Sequence, residues 1–180
     1  MPEINAQQIQ EGGNIVSGVC GMAGACISLA ISCTFCVYYS NWLDKLDPQT
    51  HMCVAMRGDE SVDVYARFEF ICRYGFGLYL TYSIILIFAC AAGFNSIAAA
   101  INSCIHCCAS VPATVQAIMM GVYIWSWSGQ ACSEEGQPLR ECKQFLQNMF
   151  IAQLCLNGVY LCCSNLISGP QAQKHYQQRG

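Results

Sequence analysis

Fifteen cysteines are the residues of this chain best able to do chemistry. Cys33-Thr34-Phe35-Cys36 has the spacing of a dithiol that cycles between thiol and disulfide. Such a pair reacts when a helix N-terminus lowers a thiol pKa. Both residues instead fall late in a long apolar run, which keeps a thiol protonated, with no Arg or His beside them. Cys104-Ile105-His106-Cys107-Cys108 gathers soft metal ligands. Zinc needs four ligands in tetrahedral geometry with a supporting shell, and groups this close in sequence rarely converge on one ion. Cys132 and Cys142 lie in a polar segment at a spacing that suits a local disulfide on an oxidising side, with Cys53 as the spare partner. His51 and His175 stand alone. No phosphate-cradling Gly-rich loop, Ser-His-Asp order or pair of carboxylates inside an apolar run is present. The residues therefore predict a protein that is not an enzyme, with no catalytic, cofactor-binding or metal-binding residue. A membrane thiol oxidoreductase using Cys33/Cys36 and Cys132/Cys142 is the enzymatic alternative.

The elements that carry these cysteines are unusually poor in charge. Residues 74–133 contain no Asp, Glu, Lys or Arg, and neither do residues 12–43 or 144–173. The whole chain is 54% apolar and 11% charged, against about 25% charged in an ordinary soluble domain. An ionised side chain is expensive in hydrocarbon, so a bilayer favours such composition. About 20 apolar residues cross the hydrocarbon core as a helix. The apolar runs predict helices over residues 15–43, 70–94, 107–128 and 145–168, with loops 44–69 and 129–144 on one face. The expected fold is all-α, a single integral membrane domain over residues 1–180 built as a four-helix transmembrane bundle. The net charge of −3 and the lack of any basic run exclude nucleic acid as a partner. Lipid bilayer is the expected surrounding, with a homo-oligomer or other membrane subunits as partners.

Small residues recur every four positions in the first helix, at Cys20, Gly24, Ser28, Ser32, Cys36 and Ser40. Residues four apart share a helix face, and a small-residue stripe lets another helix approach closely. Loop one is ambiguous. Val62 to Phe70 alternates apolar and polar as a half-buried strand does, with His51 to Met56 as its hairpin partner. A helix capped at Ser61 is the favoured alternative, because short hairpins are weak alone and Asp59, Glu60 and Asp63 suit a helix start. Arg57-Gly58-Asp59 matches the tripeptide that integrins bind, but a charged loop contains it by chance and it carries no weight.

Orientation draws on two opposed signals. Lys45, Arg57, Arg67, Arg73, Arg140 and Lys143 lie on the loop side, which by the positive-inside rule faces the cytosol. Cys132 and Cys142 want an oxidising side. Cys107, Cys108, Cys162 and Cys163 lie at the opposite helix ends, where juxtamembrane cysteines are palmitoylation candidates on the cytosolic face. The cysteines are given the greater weight, so the expectation is a multi-pass membrane protein with cytosolic termini.

Four apolar spans, two loops on one side and a cysteine pair in the last loop resemble the small tetraspan membrane proteins, the MARVEL type above all. The resemblance is architectural. The Trp and paired cysteines of the claudin loop are represented only by Trp42 and Cys53, and the tetraspanin Cys-Cys-Gly is absent. It implies a non-enzymatic protein that organises membrane or self-assembles through helix packing. A subunit of a gap-junction-like large-pore channel and an accessory subunit of a large membrane complex are the alternatives.

Overall fold

The computed structural model describes the secondary structure of residues 6–91 and 96–177, and the side chains of residues 24–88, 108 and 110–159. In chain order the elements are α1 (Ala6–Lys45), α2 (Pro48–His51), β1 (Val54–Arg57), β2 (Glu60–Asp63), α3 (Val64–Ala91), α4 (Ser96–Trp125), α5 (Trp127–Ala131) and α6 (Arg140–Gln177). The chain divides into two units. One takes Met1–His51 and Tyr65–Gln116, the other Met52–Val64 and Ala117–Gly180.

In the first unit, α1 packs on α3 through polar groups held inside an apolar contact. The Ser32 hydroxyl donates to the Tyr79 carbonyl at 2.9 Å, and the Ser83 hydroxyl lies 3.1 Å from Ser32 and 2.9 Å from the same carbonyl. Both serines are buried. A buried hydroxyl without a partner costs more than a satisfied one gains, so the pair fixes which turn of α1 meets which turn of α3. Below it, the Phe35 ring meets Tyr79 edge-on at 4.9 Å and Tyr39 stacks on Tyr79 at 5.9 Å. Tyr39 is fully buried, and its hydroxyl accepts from the Gln116 amide of α4 at 3.0 Å. Three threonines, Thr34, Thr81 and Thr114, return their hydroxyls to the carbonyl four residues earlier, which satisfies them within their own helices.

Several expectations are overturned. Long helices form where the apolar runs lie, but the four-span bundle does not follow. Among the described residues only Gly24–Lys45, of 22 residues, and Val64–Phe88, of 25, are long and apolar enough to cross a membrane. Of α4, 30 residues long, the described apolar part is Ser110–Trp125. The last helix opens on Arg140-Glu141-Cys142-Lys143 and buries Gln153. The fold is mostly α-helical rather than all-α, because loop one contains a hairpin. The helix preferred there begins only at Val64. The strand read over residues 62–70 stops at Asp63, since from Val64 the side chains bury with helical spacing: Val64, Tyr65, Phe68, Ile71 and Cys72. The start expected for helix three, residue 107, lies inside α4, which runs unbroken through Pro112. The Pro112 carbonyl there accepts the Tyr74 hydroxyl at 3.3 Å.

Burial on α1 follows Ser32, Phe35 and Tyr39, three to four residues apart. Of the small-residue ladder, Ser32 lies in this contact, Cys36 and Ser40 are half-buried, Gly24 and Ser28 are exposed, and Cys20 lies outside the described side chains.

Gly75 makes the close approach of Tyr39 and Gln116 to α3. A Cβ there would lie 2.5 Å from Gln116 Nε2 and 2.6 Å from Tyr39 Cζ. Gly75→Ala is expected to destabilise the first unit by about 2 kcal/mol, because a buried ring must shift. Thermal unfolding of the purified variant against the parent checks this, and an unchanged midpoint refutes the contact.

Candidate functional site

The chemistry predicted for loops one and two comes together in the second unit, as a small head around one disulfide. β1 and β2 pair antiparallel with Val54 opposite Asp63 and Arg57 opposite Glu60. The connection is the two residues Gly58-Asp59. Gly58 has φ 61°, the positive value that a two-residue hairpin turn asks of its first residue. The turn thus explains the glycine of the Arg57-Gly58-Asp59 tripeptide. Ala55 and Val62, opposite each other, point inward, whereas Met52, Val54 and Met56 are 64%, 49% and 78% exposed.

A two-stranded hairpin is marginal in water, and three contacts hold this one. Cys53, just before β1, is bonded to Cys132, which follows α5. The Arg57 guanidinium lies over the Trp127 ring of α5, 5.9 Å from its centre. The Val64 N–H donates to the Cys53 carbonyl at 3.0 Å, closing the base of the hairpin.

α5 has its own reasons to form. Ser126 caps it with extended backbone, and its hydroxyl oxygen accepts from the Gly129 N–H at 3.2 Å. Gly129 is buried against the end of α4, where a Cβ would run into the Tyr123 carbonyl oxygen. The Ser133 hydroxyl donates to the Gly129 carbonyl. The following turn carries Gly136 at φ 85° and returns so that the Leu139 N–H donates to the Cys132 carbonyl at 3.3 Å. Leu139, Leu146, Met149, Met120 and Ile124 are buried in this unit. Trp125 meets Phe150 edge-on at 5.2 Å.

The bridge expected between Cys132 and Cys142 is therefore corrected. Cys132 pairs with Cys53, the residue left over in that assignment, across 79 positions of sequence. Cys142 is a buried thiol in the first turn of α6. Sequence reasoning weighed closeness along the chain, and that choice fails because the hairpin brings Cys53 to α5. Its own turn signal, Gly58 between charged residues, was the cue.

The remaining candidates whose side chains are described, Cys33, Cys36 and Cys108, belong to the first unit. Cys33 is exposed and Cys36 half-buried, both within α1 and far from its N-terminus. Burial, and then the neighbouring Cys33, push the Cys36 thiol up, the direction that suppresses a nucleophile. Cys33 lies 3.6 Å from the Ser83 hydroxyl. Of the palmitoylation candidates, Cys108 is exposed, while Cys107, Cys162 and Cys163 lie outside the described side chains, as do Cys104 and His106 of the soft-ligand cluster. Among the described residues no three His, Cys, Asp or Glu side chains converge as metal ligands. A cleft of about 720 Å³ in the first unit is lined by Leu43, Asp44, Tyr65, Glu69, Arg73 and Phe76, among others. Its one guanidinium is already taken up by Glu69, at 2.6 Å.

Two variants read the head. Cys53→Ser should lower its stability by about 4 kcal/mol, the loop-closure value for so long a loop, and reductant should do the same to the parent but nothing to the variant. Gly129→Ala should cost about 3 kcal/mol, because the clash is with backbone and cannot be relieved by a side-chain turn. Hydrogen exchange at α5 and the hairpin amides checks both. Equal protection in parent and variants would show that neither contact holds the head.

The membrane reading loses its basis with the four spans. The described residues do not support tetraspan or MARVEL-like architecture, multi-pass placement with cytosolic termini, or a lipid bilayer partner. The membrane-organising role falls with it, and the structure lends no support to the channel, accessory-subunit or oxidoreductase alternatives. Palmitoylation and oligomerisation are likewise unsupported by the structure. No family model matches this chain, and no curated protein or solved structure is similar to it.

Proposed function

We propose that this chain is a non-enzymatic recognition protein whose working part is the disulfide-pinned head, folded in an oxidising compartment. The observation that carries the reading is the Cys53–Cys132 bond, which ties a hairpin to a helix 79 residues away. Structural disulfides persist where thiols are oxidised, and a bond closing so long a loop stabilises chiefly by restricting the unfolded chain. The same head holds out an exposed row of Met52, Val54 and Met56. Methionine is flexible and polarisable, and it recurs on surfaces that bind other proteins. Beside that row Arg57 is outnumbered by the exposed carboxylates of Asp59 and Glu60. The matching partner is a protein with an apolar surface rimmed by bases.

Two measurements test this. Thiols are alkylated in the native source before lysis, and the chain is then mapped without reduction. A linked Cys53–Cys132 peptide is the expected result, and alkylation of both cysteines removes the oxidising compartment. A photoreactive residue is then placed at Met56 and, as a control, at the exposed Glu134. One discrete protein adduct from position 56, absent from position 134 and lost when Cys53 is Ser, is expected. Identical patterns from the two positions overturn the recognition role.

A further inference from the structure

The register of the hairpin decides which main-chain groups of β1 are already used. In an antiparallel pair, hydrogen-bonded and non-bonded residue pairs alternate. The Val64 N–H donates to the Cys53 carbonyl, so the bonded pairs fall at Cys53 with Val64, Ala55 with Val62 and Arg57 with Glu60. The two-residue turn requires the same phase. Val54 and Met56 lie between, so their N–H and C=O groups point away from β2. Among the described residues, nothing else in the chain hydrogen-bonds to either of them. Their side chains, two residues apart, share one face and are exposed, with Met52 exposed just before the strand. Proteins usually block a sheet edge with charge or proline. β2 has the exposed Asp63 on its own edge, whereas β1 has neither device at its two outward positions.

We propose that the β1 edge takes an extended segment of a partner protein as a third strand, apolar at alternate positions and basic at the end nearest the turn. The N–H and C=O groups of Val54 and Met56 pair with main-chain groups of that segment. Its apolar side chains then lie beside Val54 and Met56 on the exposed face. The exposed carboxylates of Asp59 and Glu60 meet its base. Free main-chain groups narrow the occupant more than an apolar row does. A helix spends its own amides internally, and only an extended chain offers them in a line. This deepens the recognition reading and rests on it for the existence of a partner.

The probe is the peptide Lys-Val-Ser-Val-Ser-Val-Lys, acetylated and amidated, added to the purified full chain with its disulfide closed. Amide hydrogen exchange is read residue by residue. At saturation the Val54 and Met56 amides should slow about tenfold. The same peptide N-methylated at every peptide bond should slow neither, and glutamate in place of both lysines should weaken binding. Val54→Pro removes one outward donor and leaves the ladder to β2 whole. It should weaken binding about fivefold, the worth of one net hydrogen bond. Val54→Thr, which keeps the N–H and the shape, should bind as the parent does. Unchanged protection of the Ala55 and Val62 amides shows that the hairpin is folded in each variant, and the N-methylated peptide tests the pairing without any variant. Unchanged exchange at Val54 and Met56, or equal binding by the N-methylated or glutamate peptide, overturns the proposal. So does slowing that grows with protein concentration without peptide, which gives the edge to a second copy. The photo-adduct from position 56 reports any partner at the head. An adduct without slowed exchange therefore removes strand pairing and leaves the recognition reading standing.

Discussion

One covalent constraint organises the second unit. Four-residue strands joined by two residues cannot bury enough apolar surface to stand alone. Ala55 and Val62 are their only inward pair, and the five-residue α5 is itself too short to be stable in isolation. The Cys53–Cys132 bond makes each of these weak elements a support for the other. Once it is closed, the remaining contacts become intramolecular in the strong sense. The Arg57 guanidinium stays over Trp127, and the Ser126 cap and the Gly136 turn place the first residue of α6.

The first unit relies on a different device. Its helices are apolar along most of their length, so apolar contact alone would allow α1 to settle on α3 in several ways. Ser32 and Ser83 remove that freedom because both need the neighbourhood of the Tyr79 carbonyl. A slip of one turn would leave two hydroxyls buried without partners. Tyr39 and Gln116 repeat the arrangement between α1 and α4. The polar groups contribute specificity of register, while the rings of Phe35, Tyr39 and Tyr79 contribute buried area.

Helix positions were legible because uncharged apolar runs are long and unambiguous. What those runs surround themselves with was not. Composition cannot separate a span from a helix that opens on charged residues and buries a glutamine, as α6 does. Loop one was misjudged for a local reason. Period two and a helical stripe coexist across residues 60–72, and the switch at Val64 depends on which side chains meet a core that lies elsewhere in sequence. The disulfide was missed in the same way. Cys132 was recognised as a bridge residue, but its partner is selected by tertiary placement of the hairpin rather than by chain distance. The small-residue ladder on α1 was real as a pattern, yet Phe35 and Tyr39, which it passed over, are more deeply buried than most of its members.

The notch at Gly75 limits how this protein can diverge. The space it leaves is filled by a ring from α1 and an amide from α4, so three helices converge on one missing methyl group. No side chain fits at 75 unless the residue at 39 shrinks, and a smaller residue at 39 strands the Gln116 amide. In relatives of this chain the three positions should therefore change together or not at all, a correlated triplet by which distant sequences could be recognised after overall similarity has faded.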